Sequence, residues 1–278
     1  MESTQLGLFA EENRAEGKPF IKWVGGKRQL LAVITNFAPQ RYGRYHEPFL
    51  GGGAVFFHIR PERAVLSDSN PRLIRTYRGV RDDVEGVIRR LQTYPYERTF
   101  YDAMRARNID GESDAELAAW FVYLNRTGYN GLYRVNSKNQ FNVPFGRYVN
   151  PTICDAENLR TCSRALASAD LKQETFQAIL QRAERDDFVY FDPPYVPLSV
   201  TSSFTSYTSA GFSLDDQQRL RDVTRELKRR GVHVLLSNSS SPLVRELYAG
   251  FEIFEVSANR MVNSRPERRG KISELLIR

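Results

Sequence analysis

Phe188-Val189-Tyr190-Phe191-Asp192-Pro193-Pro194-Tyr195 is the stretch on which the fold turns. Its first four residues are a short apolar run of strand character, and the run stops at Asp192. Proline donates nothing to a sheet ladder, so the strand ends there in a stiff turn. On the C-terminal side, Ser213 caps a helix through Leu220, Val223 and Leu227 that closes at Gly231. Val232 to Leu236, Phe251 to Val256 and Ile272 to Ile277 then read as strands. Far upstream the first element of the body is Phe20 to Val24, followed by Gly25-Gly26 and a helical stretch from Lys27 to about Phe37. A strand ends near Phe49 at Gly51-Gly52-Gly53, a helix opens after it, and Ala64-Val65-Leu66 runs as a strand into Asp68. Strand, glycine turn, helix and strand in that order are the signature of an α/β nucleotide-binding unit.

Between these halves the alternation breaks. Asn70 caps a helix with Pro71 in its first turn, and Leu73, Ile74, Tyr77, Val80, Val84, Ile88 and Leu91 recur at helical spacing. Ser113 and Glu116 have capping-box spacing before a further apolar helix through Trp120, Phe121 and Leu124. Asn125 to Tyr148, rich in Asn, Gly, Tyr and Arg, follows. The spacing thus predicts an inserted second domain over 71–154, a flexible tail over 1–17, and a main domain assembled from 18–70 and 155–278.

Composition narrows the partners. Lys plus Arg number 40 against 33 Asp plus Glu in 278 residues, a formal charge of +7 that suits a polyanion. No basic amphipathic helix marks a lipid surface, and no apolar run reaches membrane-span length. The N-terminus is too polar for a signal peptide. Cys154 and Cys162 fit no CxxC pattern, and His46, His58 and His233 lie at no metal-ligand spacing, so no metal is expected. A soluble, cytoplasmic protein with two reduced thiols is the expectation.

Two turns carry the chemistry. The glycines after Phe49 allow close backbone approach to a ligand, and Asp68 follows at about the twenty-residue spacing of a ribose-binding carboxylate. Phe56 stands where a dinucleotide fingerprint has its third glycine, which argues against a pyrophosphate ligand. The Asp192 corner fixes a carboxylate, the Pro193 carbonyl and the Tyr195 ring in one arrangement. Methyl transfer from a sulfonium to a purine amino group needs such a set. That nitrogen's lone pair is delocalised into the ring, and acceptors for its two N–H bonds favour a pyramidal, nucleophilic nitrogen. A ring face holds the base.

With Phe20 to Lys27, Glu47 to Gly53, Asp68-Ser69-Asn70, Tyr123 to Arg126, Gly128 to Leu132, Phe141 to Tyr148 and Asp192 to Ser199 in this order, the chain resembles the Dam-type DNA adenine methyltransferases of the alpha group. The resemblance runs from Phe20 to Ile277. It implies a Rossmann-like class I methyltransferase fold, α/β with a mixed seven-stranded sheet, plus an inserted helical and β-hairpin target-recognition domain. It implies S-adenosylmethionine as cofactor, held by Trp23, Lys27, Phe49, Gly51, Gly53, Asp68 and Asp192, with Asp68 towards the ribose. Asp192, Pro193 and Tyr195 match the adenine-side catalytic motif. Tyr129 and Asn130 match residues that wedge into the duplex beside a flipped base. Leu132, Arg134 and Pro144 match base contacts of members that recognise GATC, and Lys22, Asn136, Arg147, Tyr148 and Ser199 match further DNA contacts. The chain departs from the best-known members at Thr127, Tyr133 and Val135 and in the turn Ser137-Lys138-Asn139-Gln140.

The physics of the task agrees. An adenine inside a duplex must be extruded at a cost of roughly a few kcal/mol, and a wedge fills the space it leaves. Arginine against guanine O6 and N7 is the commonest specific contact, and Arg134 is the residue for it. Arg260, Arg265, Arg268, Arg269 and Lys271 read as a phosphate clamp before the last strand. In the tail, Gln5-Leu6-Gly7-Leu8-Phe9 resembles the peptide by which bacterial proteins dock on the replication sliding clamp. The expected partner is double-stranded DNA in a bacterial or phage-infected cell. Two other readings stay open at this point: the same corner serves cytosine's amino group or RNA, and a catalytically silent DNA binder would share the basic charge.

Overall fold

The computed structural model describes residues 17–196, 212–259 and 271–278. Among these, seven strands make one sheet: β1 (Tyr45–Glu47), β2 (Ala64–Asp68), β3 (Ala169–Gln173), β4 (Phe188–Phe191), β5 (His233–Ser239), β6 (Ile253–Asn259) and β7 (Lys271–Ile277), ordered β3-β2-β1-β4-β5-β7-β6. The first five run parallel, whereas β7 is antiparallel to both β5 and β6. The chain therefore forms the mixed seven-stranded, Rossmann-like α/β fold expected of it. β1, β2 and β3 step outward one way while β4 and β5 step the other, so the order reverses between β1 and β4. Ligands of open α/β sheets bind outside the strand C-termini at that reversal. Here those ends are Glu47 and Phe191, which lead into the glycine turn and the proline corner.

β4 explains its own apolar run. Phe188 and Tyr190 belong to one apolar cluster and Val189 and Phe191 to the other, so alternate residues bury on opposite faces of the sheet. The first cluster continues without a break from sheet residues such as Tyr45 and Leu66 into Trp120, Phe121 and Leu124.

The first helices are α1 (Leu31–Phe37) and α2 (Ala54–Ile59), and then come α3 (Pro71–Asp82), α4 (Val84–Thr93), α5 (Arg98–Ala106) and α6 (Asp114–Thr127). The periodic stretch after Asn70 reads as one helix but is two. Asp83 leaves helical geometry and its carboxylate accepts from Gly86 N–H, capping α4. Asn70 caps α3 as expected, accepting from the N–H groups of Arg72 and Leu73. On α3, Arg78 and Arg81 donate to the carbonyls of Leu171 and Ala169, covering the edge strand β3. Half of the expected capping box forms at α6. Ser113 accepts from Glu116 N–H, but the Glu116 carboxylate is drawn to Arg90 and Arg107 instead.

Phe20 to Val24 is not a regular element. Phe20 and Ile21 are buried, yet their segment's backbone is satisfied by side chains of α6. Lys22 N–H donates to Asn125 Oδ1 at 2.7 Å, Asn125 Nδ2 returns to the Lys22 carbonyl at 2.9 Å, and Arg126 donates twice to the Phe20 carbonyl. The remaining α-helices among the described residues are α7 (Ala156–Leu166), α8 (Leu214–Arg229) and α9 (Pro242–Leu247). α8 carries a complete capping box, Ser213 with Asp216, and ends at Gly231 with φ +81°, as its sequence predicts.

Candidate active site

The glycine turn and the proline corner lie side by side because β1 and β4 pair directly. In the turn, Gly51 and Gly53 take φ values of +47° and +65°, which residues with a Cβ resist. A Cβ on Gly51 would come within 2.6 Å of the Trp23 ring, and one on Gly53 within 2.9 Å of the Tyr77 hydroxyl. Asp68 closes the turn, accepting from Gly51 N–H at 3.1 Å and Asn70 N–H at 2.9 Å. Burial pushes the Asp68 carboxyl up, opposed by these hydrogen bonds, which favour its charged form. Phe49 packs against Phe176, Phe191 and Phe212 on the other side.

The corner is held at nearly every residue. Lys27, whose side chain is 4% exposed, puts its ammonium 2.8 Å from Asp192 Oδ1, 2.6 Å from the Gly25 carbonyl and 4.6 Å from the centre of the Tyr195 ring. Ser237 donates to the same Asp192 oxygen at 3.1 Å. Pro193 is buried. Gln217 of α8 donates to the Pro194 carbonyl at 2.9 Å, and the Tyr195 hydroxyl donates to Glu274 at 2.6 Å. Val196 N–H donates to Asn238, and its carbonyl accepts from Ser239 at 2.6 Å. Burial pushes the Tyr195 phenol well above its ordinary range, with Asp192 adding to the effect, so it remains a donor. The arrangement presents a partly exposed carboxylate and an aromatic ring, rigidly spaced, beside a backbone cradle.

Ser237, Gln217, Asn238, Ser239 and Glu274 escaped the sequence reading. A signal existed: Ser237-Asn238-Ser239 are polar residues ending an apolar strand. Register pairs Phe191 with Leu236, so Ser237 falls next to Asp192 at the same sheet edge.

Most of the remaining candidates fall between Tyr129 and Tyr148. Tyr129 is 52% exposed, and Asn130 beside it takes φ +53°. Bridges Gly128–Phe145 and Val135–Phe141 define an irregular hairpin. The Pro144 carbonyl accepts from Tyr129 N–H at 2.9 Å. Arg134, exposed, donates to the side chain and carbonyl of Asn142 across the hairpin. Asn136 organises the hairpin tip, accepting from the N–H groups of Lys138 and Gln140. The Lys22 ammonium lies 4.3 Å from the centre of the Tyr148 ring, whose hydroxyl donates to the Gly128 carbonyl. Leu132 is half-buried and Arg147 exposed. Tyr133 stacks on Phe121 and, at 6.1 Å, on Trp23, so a ladder of rings joins the hairpin to the glycine turn. Ser199, Gln5 to Phe9, and the arginines from 260 to 269 lie outside the described residues. Among the described residues no cluster of three or more His, Cys, Asp or Glu is arranged to hold a metal, and no helix is long and apolar enough to cross a membrane.

Comparison with known proteins converges on one group. The sequence model of the D12 class N6 adenine-specific DNA methyltransferases matches residues 23–262. The chain is 46% identical over 275 residues to the Type II methyltransferase M1.LlaDCHI of Lactococcus lactis subsp. cremoris, covering 96% of this chain and 97% of that protein. It is 41% identical over 285 residues to the Type II methyltransferase M.MjaIII of Methanocaldococcus jannaschii, covering 94% and 99%. It is also 36% identical over 265 residues to the DNA adenine methylase of Haemophilus influenzae, covering 93% and 92%.

Proposed function

The chain belongs to the D12 class of N6 adenine-specific DNA methyltransferases, and from that premise we propose that it methylates the 6-amino group of an adenine flipped out of duplex DNA, within GATC, using S-adenosylmethionine. The observation that carries the proposal is the stapled corner: Asp192 and Tyr195 stand in fixed relation at the switch point, beside the glycine cradle. The cradle fits the cofactor. Gly51 and Gly53 have the backbone that close approach requires, Trp23 lies against Gly51 and Asp68 accepts from its N–H, and Lys27, Phe49 and Asp192 complete the proposed pocket. When bound there, the cofactor supplies an electrophilic methyl carbon.

The protein's own part is to prepare the acceptor. Asp192 and the Pro193 carbonyl accept the two amino N–H groups, drawing the nitrogen out of conjugation and exposing its lone pair. Tyr195 offers its ring to the base, and Asp192 receives the proton that the nitrogen sheds after the new N–C bond forms. Transfer is direct, with no covalent enzyme intermediate. The half-exposed Tyr129 with Asn130 suits a wedge in the vacated stack. Leu132, Arg134 and Pro144 share the adjoining hairpin, which supports their reading as the base-contacting set, and Lys22, Asn136, Arg147, Tyr148 and Ser199 are proposed as further DNA contacts.

Asp192→Asn should lower radiolabelled methyl transfer to duplex DNA by on the order of 10²–10⁴-fold while cofactor binding partly persists. Retained turnover refutes the role of Asp192. Methylation-sensitive sequencing of DNA from cells expressing the protein reads the recognition site directly, and marks elsewhere than GATC overturn that part. Docking of Gln5 to Phe9 on the sliding clamp is a separate proposal. A labelled tail peptide should bind clamp, and Leu8→Ala with Phe9→Ala should abolish the signal; equal signals from both peptides end the idea.

A further inference from the structure

Behind Asp192 runs a line of buried hydroxyls. The Tyr190 hydroxyl lies 3.0 Å from Ser237 Oγ, and Ser237 Oγ lies 3.1 Å from Asp192 Oδ1. Ser237 and Tyr190 are both fully buried, on neighbouring parallel strands β5 and β4. Each hydroxyl has one proton to give. Burial pushes the Tyr190 phenol well above its ordinary range, so it keeps its proton, and Ser237 Oγ is its hydrogen-bond partner among the described residues. The Tyr190 proton thus points at Ser237, which turns the Ser237 proton forward. Ahead of it lie Asp192 Oδ1 at 3.1 Å and, more distantly, the Phe191 carbonyl at 3.4 Å. The order of donation is Tyr190 to Ser237 to Asp192.

Lys27 reaches the same oxygen, 2.8 Å away. Two donors then occupy Oδ1: one on a lysine side chain, the other on a rigid strand. A carboxylate held this way cannot rotate freely about its last bond, and among the described residues both donors go to Oδ1, which leaves the second oxygen to a ligand. We infer that Ser237, oriented by Tyr190, is a positioning residue for methyl transfer, fixing the Asp192 carboxylate so that Oδ2 meets the adenine amino group. The inference rests on the reading of Asp192 as acceptor for that amino group. It adds two fully buried residues that act on the acceptor only through Asp192.

Kinetics of Ser237→Ala, Ser237→Thr, Tyr190→Phe and the double variant Tyr190→Phe with Ser237→Ala test it, with thermal unfolding as a check on folding. Misaimed reacting groups cost up to about 100-fold, so Ser237→Ala should lower kcat by on the order of 10–100-fold, with KM for DNA and cofactor affinity within about twofold. Ser237→Thr restores a hydroxyl at the same Cβ and should recover most of the loss. Tyr190→Phe should cost less than Ser237→Ala, and the double variant no more than Ser237→Ala alone, because the two act in series. A packing role would instead make the two losses add, track the loss of thermal stability, and deny rescue by threonine. That pattern, or wild-type kcat in Ser237→Ala, overturns the inference. Should Ser237→Ala unfold, Tyr190→Phe decides alone, since it removes one oxygen and keeps the ring: unchanged kcat overturns the relay. Asp192→Asn separates the two levels. If it is inactive while Ser237→Ala is fully active, the relay fails and the catalytic reading stands; if Asp192→Asn is active, both fall.

Discussion

Glu47 lies at the end of β1, directly before the glycine turn, with its carboxylate buried and accepting from the Tyr45 hydroxyl and Phe56 N–H at the same oxygen. Burial pushes the group up to about 8, and Asp192 nearby adds to the rise; the hydrogen bonds from Tyr45 and Phe56 and the charge of Lys27 oppose it. An unfolded chain releases this proton near the ordinary glutamate value of about 4.3. Between there and about 8 the native state holds a proton that the unfolded state has lost, so this group's contribution to stability falls as pH rises. Glu47→Gln removes the dependence, because one amide oxygen can still accept both hydrogen bonds. Urea unfolding should show the variant gaining on the native sequence steadily from pH 5 to pH 8, and a pH-independent difference rejects the assignment. Legibility at this scale followed residue type. Asp192 and Gly51 announce themselves because an Asp-Pro-Pro corner and a glycine run have few uses. Glu47, Ser237 and Glu274 hide within or beside strands, where a polar residue ordinarily means a face turned to water.

Among the elements, α8 links helix stability to the corner, since its Gln217 holds the Pro194 carbonyl and, through its Oε1, Asn238. The helix starts on a complete Ser213–Asp216 box. Ser213→Ala should cost about 1 kcal/mol of unfolding free energy. It should also raise hydrogen-exchange rates in the first turn of α8, where Gln217 lies. Unaltered exchange there separates cap from corner. Most elements were readable because periodicity and caps act locally. Three were not. The α3–α4 break depends on Asp83, whose capping role competes with a periodic apolar pattern that continues past it. β3 is five residues long, with its apolar residues buried and its polar residues turned outward, too short a run to stand out. Phe20 to Val24 looks like a strand because it is apolar, but its hydrogen bonds go to Asn125 and Arg126, partners that only tertiary structure brings near.

At the scale of the whole molecule, a charge of +7 and an exposed hairpin predict DNA binding that weakens steeply with salt. Arg147→Ala should weaken all duplexes alike and reduce the slope of log affinity against log salt by about 1. Arg134→Ala should instead erode discrimination between cognate and non-cognate duplex by about 1–3 kcal/mol and leave the slope nearly intact. Fluorescence anisotropy across a salt series distinguishes them, and exchanged behaviours would reverse the two roles. The staple between Lys22 and Asn125 has a consequence of another kind, for it joins residues 103 apart in the chain. A ribosome adding 5–20 residues each second needs roughly 5–20 s to travel that distance. Throughout that interval the stretch from Phe20 to Lys27, already outside the exit tunnel, lacks the side chains that will hold it. Nascent chains arrested before Asn125 emerges should be cut near Lys22 by trypsin, and those arrested well beyond Arg126 should resist: the wall that carries Trp23 and Lys27 sets only when a partner 103 residues further on has followed it.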